Sequence, residues 1–199
     1  MSAKSNRQRR KRKEGSRKAN DRILIIAQGS VTEIEYFNEL KSLYRLPGIQ
    51  IINESHSPEN IVVKKSKNAI SREEFDKVYF VVDVDASSKN QLEQGFAQAR
   101  KLSTRNRTCQ FIVSNECFEV WLLAHHSKLT HVYTRATLSA KANTLGLLEN
   151  KKHLAESFPF HNLDQAMKNV KMHGPNEIGS KNSTAIPHLL KAIGVMKDL

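Results

Sequence analysis

The 199-residue chain predicts an α/β domain with a mostly parallel sheet, and three observations carry that expectation. Apolar runs Ile23–Ala27, Val78–Val82 and Cys109–Val113 are continuous, as in strands buried on both faces. Segments of helical periodicity separate them, giving a β-α-β-α-β-α-β series that parallel pairing with right-handed crossovers accommodates. Two of the runs end in polar groups, Gln28-Gly29 and Asp83-Val84-Asp85, and in open α/β sheets chemistry collects at the carboxyl ends of strands.

The elements follow in order. After the first strand, Thr32 stands three residues before Glu35, the spacing of a capping box. Tyr36, Phe37, Leu40 and Leu43-Tyr44 recur at helical intervals, predicting a helix from Thr32 to Arg45 that Pro47-Gly48 ends. Ile49–Ile52 is a short second strand. Residues 58–72 read as a weaker helix opened by Pro58, with Ile61, Val62 and Ile70 as its apolar positions. Residues 77–83 form the third strand, and Ser88 with Gln91 caps a helix presenting Leu92, Phe96, Ala99 and Leu102.

The fourth strand leads directly into Ser114–His126. Ser114 or Asn115 is expected to cap a helix that places Glu119 one turn inside it, near the edge where Asp83 and Asp85 lie. Beyond residue 127 the pattern is helical: Leu138, Ala142, Leu145 and Leu148 predict one helix, Leu163, Ala166 and Val170 another, and Ile186, Leu189-Leu190 and Ile193 a last one. Residues 176–183, with Gly179, read as an exposed loop. The expected organisation is a basic arm (1–22), an α/β core (23–127) and a helical C-terminal extension packed on it (128–199).

The net charge of +12 is unevenly spread. Residues 1–22 carry ten Lys/Arg against Glu14 and Asp21, a net +8, leaving +4 for the rest. The block Arg9-Arg10-Lys11-Arg12-Lys13 has nothing apolar to bury and repels itself, so a disordered arm is expected. Such an arm suits a phosphate backbone through counterion release, without sequence preference; a solubilising tail is the plainer alternative. No run of 18 apolar residues occurs and the first residues lack an apolar signal segment, so the expectation is a cytoplasmic chain with no membrane association. Cys109 and Cys117 have no metal-ligand spacing and read as buried thiols.

Asp83 and Asp85 share one face of an extended strand and can turn together toward a cation at its end. Mg²⁺ and Mn²⁺ take oxygen ligands from a few carboxylates plus water and substrate phosphate. Asp-x-Asp alone is a weak signal, but Glu33 and Glu119 follow two other strands and strengthen it. Helix-dipole stabilisation is the structural alternative for Glu33, and Glu35 reads as a cap rather than a ligand. None of the eight histidines is assigned to metal. His125-His126, ending an apolar helix, is expected to donate to its last carbonyls. Trp121 among Val120, Leu122 and Leu123 reads as core, and Lys181 and Asn182 as a solvated loop.

These residues resemble a known family. Ile25-Ile26-Ala27-Gln28-Gly29-Ser30-Val31-Thr32-Glu33-Ile34-Glu35-Tyr36-Phe37 is similar to the first motif of RloB-like proteins, in which a strand runs into Glu-Gly-x-x-Thr-Glu and an aromatic pair. Asp83-Val84-Asp85 matches the second motif, and Ser114–Leu123 resembles the segment Ser-Asn-x-x-Phe-Glu-x-Trp-Leu-Leu. Asn182-Ser183-Thr184 with Leu189 resembles the C-terminal motif, so the likeness spans residues 22 to about 195.

The resemblance implies a toprim-like fold with a four-stranded, mostly parallel sheet, in which one Glu transfers a proton and the Asp-x-Asp pair binds Mg²⁺. It further implies bacterial anti-phage defence of the abortive-infection type, beside a separate AAA-type ATPase; no Gly-rich Lys-Ser/Thr phosphate loop occurs in this chain. One position departs: the first-motif Glu is Gln28, and an amide does not exchange protons as a carboxylate does. Three readings stay open: a natural variant with reduced cleavage, a substitution that traps a complex, or chemistry carried by Glu33 and the metal.

The expectation is therefore a Mg²⁺- or Mn²⁺-dependent nuclease, or its impaired form, acting on DNA, RNA or a nucleotide messenger. Asp83 and Asp85 hold the principal cation, Glu33 or Glu119 assists, and a homodimer is the commonest oligomer to expect. The competing class is a non-catalytic nucleic-acid-binding or sensor subunit. A phosphatase beginning with Asp-x-Asp fits worse, because the first strand carries no such pair.

Overall fold

A computed structural model describes residues 21–62, 75–84 and 87–196. The basic block Arg9–Lys13, Asp85 and the end of the expected 58–72 helix lie outside the described residues.

Four parallel strands, β1 (Ile23–Ala27), β2 (Ile49–Asn53), β3 (Lys77–Asp83) and β4 (Thr108–Asn115), pair in the order β2-β1-β3-β4. Their registers are regular, with Ile25 opposite both Ile51 and Tyr79, and Phe80 opposite Phe111. Period-two alternation divides each apolar run between two cores. Ile23, Ile25, Tyr79, Val81 and Ile112 face one, whereas Leu24, Ile26, Val78, Phe80, Phe111 and Val113 face the other. Both faces are covered, which is why the strands read as unbroken apolar runs.

Helix α1 (Thr32–Leu43) closes the first core with Tyr36, Phe37 and Leu40. The short α2 (Pro58–Ile61) and α3 (Lys89–Leu102) close the second with Ile61, Leu92, Phe96 and Ala99. Ser88 and Gln91 form the expected reciprocal cap of α3. Four further helices follow: α4 (Glu119–Ala124), α5 (Arg135–Thr144), α6 (Leu163–Asn169) and α7 (Ile186–Ala192). Leu138, Leu163, Ala166, Ile186 and Leu190 join the same apolar cluster as β1 and α1, so the C-terminal segment completes that core. This mixed α/β arrangement, seven described helices around a mostly parallel sheet, is consistent with the toprim-like class.

The sheet has six strands rather than four. Two-residue strands β7 (Lys171–Met172) and β8 (Ser183–Thr184) extend it beyond β4, with β8 antiparallel to β4. Neither has an apolar run, so no periodicity announces them; β8 is held by polar pairing, Ser114 Oγ to Thr184 Oγ1 at 2.9 Å. Another short hairpin, β5 (Leu148–Glu149) with β6 (His153–Leu154), takes up Leu148, which the sequence placed on a helix.

Other local expectations are corrected. Helix α1 starts after Val31 with no side-chain cap; Thr32 donates instead to the Lys152 carbonyl, and Glu35 accepts from His153 Nδ1 and Leu154 N, both at 2.7 Å. Arg45 lies beyond the helix with φ 51°. Ser114 and Asn115 end β4 rather than cap α4, whose N-cap is Phe118. Within 176–183, Asn182 is buried and its amide brackets the Tyr133 backbone, accepting from N and donating to O. Lys181 is exposed and pairs with Glu116 at 3.2 Å. His125 does not cap its helix: Trp121 Nε1 donates to Tyr36 Oη (2.8 Å), the Tyr36 hydroxyl donates to His125 Nε2 (3.2 Å), and His125 Nδ1 donates to the Pro159 carbonyl (3.2 Å). Trp121 is fully buried, as expected, and both cysteines are buried and free.

Candidate active site

The chain leaves β1 toward β2 on one side and returns to β3 on the other, so connections diverge between β1 and β3. In doubly wound sheets a crevice opens beyond the carboxyl ends at such a point. Here Gln28 directly follows β1 and β3 ends in Asp83, and a cleft of about 640 Å³ lies over them. Gln28 and Glu33, Asp83, and Glu119, from three chain-distant segments, line it together. Asp85 and the arginine- and lysine-rich arm lie outside the described residues.

Backbone pairing holds Gln28 in place. Its N–H continues the ladder to Val81 O (2.9 Å), and the Asn53 amide donates to Gly29 O at 2.9 Å, pinning the turn after β1. The Gln28 side chain spans the strand ends: Oε1 accepts from Asp83 N (3.4 Å) and Nε2 donates to His56 O (3.1 Å).

The first turn of α1 brings Glu33 back over Gly29. A Cβ built on Gly29 would fall 2.0 Å from both Glu33 carboxylate oxygens, so a side chain there and this Glu33 placement exclude each other. Burial raises the Glu33 pKa, opposed by a hydrogen bond from its own backbone; the nearby Glu119 charge raises it further and Arg135 lowers it. A buried carboxyl beside a second acid is a group whose ionised form a cation would stabilise.

Arg135, the first residue of α5, and Lys151 and Lys152, from the β5–β6 turn, also line the cleft. Sequence reasoning missed these three. Only Asn150-Lys151 between two short apolar stretches hinted at a turn, and nothing local says where it points. The position comes from Glu35, whose two carboxylate oxygens hold β6 against α1, with Thr32 bonded to the Lys152 carbonyl. Both φ angles, 49° at Asn150 and 64° at Lys151, are left-handed, as a tight hairpin turn demands. The cleft thus combines oxygen donors at its strand ends with cationic groups supplied from the C-terminal segment.

Oxygen-only donors such as Asp83, Glu33 and Glu119 suit a hard divalent cation, so the donor set fits Mg²⁺ or Mn²⁺ in chemical type. Among the described residues no three His, Cys, Asp or Glu side chains already meet in ligating geometry. Also among them, no helix is long and apolar enough to cross a membrane.

The family model described as RloB-like protein matches residues 23–193. No curated protein and no solved structure matches the chain.

Proposed function

This chain belongs to the RloB-like protein family, and we propose that it is a toprim-like, divalent-metal-dependent phosphodiesterase acting on DNA or RNA in cytoplasmic anti-phage defence, alongside a separate AAA-type ATPase. The observation that carries the reading is the convergence of Glu33, Asp83 and Glu119 on one switch-point cleft rimmed by Arg135, Lys151 and Lys152.

Asp83, with Asp85 two residues on, would hold a Mg²⁺ or Mn²⁺ ion, with Glu33 or Glu119 assisting. A bound cation supplies Lewis-acid stabilisation and a more acidic water. The chain's own groups do the rest. Arg135, Lys151 and Lys152 offer charge-assisted hydrogen bonds to phosphate oxygens and orient the backbone of a polynucleotide. Burial raises the Glu33 pKa, so its ionised form is disfavoured there, and positive charge brought close to it would favour that form. The basic block Arg9–Lys13 adds sequence-independent affinity for the same polyanion.

Gln28 favours a second reading, a nucleic-acid-binding subunit that has kept the site and lost turnover. Its amide is already committed to Asp83 N and His56 O and transfers no proton. Calorimetric titration with Mn²⁺, using Asp83→Ala as control, tests the site itself: binding by the parent and loss in the variant are expected, and equal heats overturn it. Cleavage of labelled DNA and RNA oligonucleotides then separates nuclease from binding subunit. Gln28→Glu is expected to raise turnover if proton transfer limits the rate, a position worth about 10²–10⁴-fold.

A further inference from the structure

A second cavity, of about 450 Å³, adjoins the cleft along α4: Glu119 lines the cleft, and the next residue, Val120, lines the cavity together with Ala124 one turn on. The segment after α4 joins the two spaces again. Residues 127–132 line the cavity, and Arg135, three residues beyond Val132, lines the cleft. Three residues of chain span at most about 11 Å, so the two spaces are neighbours.

Two amides that line the cavity also hold its walls. Asn182, buried, accepts from Tyr133 N at 2.5 Å and donates to Tyr133 O at 3.0 Å, fastening the segment after α4 to the start of β8. Asn169 donates to Ala124 O at 2.8 Å and fastens the end of α6 to the end of α4. The walls are therefore backbone fixed by directed bonds, formed before any ligand arrives.

The charge around the cavity has one sign. Lys128, Lys168, Lys171 and Lys181 line it with His131, and no Asp or Glu does. Lys181 pairs with Glu116 at 3.2 Å; among the described residues no salt bridge holds the other three. Beyond the basic arm the chain carries only +4, so cations and acids otherwise nearly balance. A solvated surface intersperses the two signs, whereas four ammonium groups around one concave space repel one another and focus their field on any anion that enters. Apolar groups share the lining: Leu129, Val170 and Val132, the last 66% exposed. Cations that follow a phosphate backbone beside apolar surface for base faces suit an unpaired strand. A duplex keeps its base faces stacked inside and does not enter a space of this size.

We propose that this cavity is a second binding site for an unpaired DNA or RNA strand whose neighbouring nucleotides occupy the cleft, with Lys128, Lys168 and Lys171 on its phosphates and the apolar lining against a base. The proposal rests on the polynucleotide reading of the cleft, and on neither metal nor turnover. The span of about 11 Å corresponds to roughly three phosphates at about 3.4 Å each, so one continuous strand reaches both sites.

The experiment follows binding of labelled single-stranded DNA and RNA of about 15 nucleotides, and of the matching duplexes, by anisotropy with the full chain in chelator between about 50 and 200 mM salt. The triple variant Lys128→Gln, Lys168→Gln, Lys171→Gln is expected to bind single strands on the order of tenfold more weakly at low salt. Its salt slope is expected to fall by about 2, at about 0.7 per phosphate contact, with a much smaller change on duplex. The matched triple variant Lys89→Gln, Arg100→Gln, Lys101→Gln removes the same charge from α3, which covers the opposite face of the sheet, and is expected to leave the slope nearly unchanged. All six side chains are exposed, so the substitutions disturb no packing. Equal losses in the two triple variants, or equal losses on duplex and single strand, overturn the proposal. So does parental binding by the cavity variant when Lys151→Gln with Lys152→Gln loses affinity, a result that leaves the reading of the cleft standing. If that pair binds as the parent does and the cavity variant does not, the cavity stands as a polynucleotide site and the reading of the cleft falls.

Discussion

Acidification from pH 7 to pH 4 is expected to remove about 3 kcal/mol of folding stability through His125 alone. The ring is fully buried among Tyr36, Trp121 and Phe158, accepts from the Tyr36 hydroxyl and donates to Pro159 O. Burial pushes its pKa down from 6.5 to about 4; the Pro159 carbonyl opposes the shift and His161 adds slightly to it. A depressed folded-state pKa means that the contribution is complete above the unfolded value of 6.5 and disappears as pH falls through about 4. The separation of the two values, at about 1.4 kcal/mol per unit and half-titrated at the lower one, yields about 3 kcal/mol. A domain has about 5–15 kcal/mol in all, so the loss is a sizeable fraction. Urea unfolding followed by the fluorescence of Trp121, the one tryptophan in the chain, reads the very cluster concerned. The parent is compared with His125→Gln, which does not titrate. Their stability difference is expected to shrink by about 3 kcal/mol between pH 7 and pH 4, a midpoint change on the order of 1–3 M urea. A difference that stays flat across that range refutes the burial argument.

Three further outcomes are expected. Gly29→Ala leaves the fold intact but displaces the Glu33 carboxylate, weakening Mn²⁺ binding by about 10–100-fold in calorimetry. Glu33→Gln raises the thermal midpoint at pH 7 in chelator: a raised folded-state pKa makes the ionised carboxylate destabilising above the unfolded value, and stability lost as pH rises through that window is absent in the amide. Added Mn²⁺ is expected to close the gap, and a parent that is the more stable in chelator contradicts the assignment. Glu35→Ala removes the two bonds that hold β6, each worth about 1 kcal/mol; Leu154 N–H exchange is expected to accelerate roughly tenfold, with weaker oligonucleotide binding by anisotropy.

The apolar runs and the acids behind them were legible because burial on both faces and strand-end placement leave local marks. Ile23–Ala27, Lys77–Asp83 and the Ser88–Gln91 cap stand where the sequence puts them. Elements held by polar pairing left no such mark. Residues Ser183-Thr184 become a strand only because β4 offers them an edge, and Glu35 resembles a cap in one dimension but spans to His153 and Leu154 in three.

By itself the sequence determined a parallel α/β core, its family, and a set of acids at strand ends, since each follows from short-range periodicity and motif spacing. Only the tertiary structure decided which cations meet those acids. Arg135, Lys151 and Lys152 are more than a hundred residues from Gln28, and their approach depends on a hairpin pinned across α1.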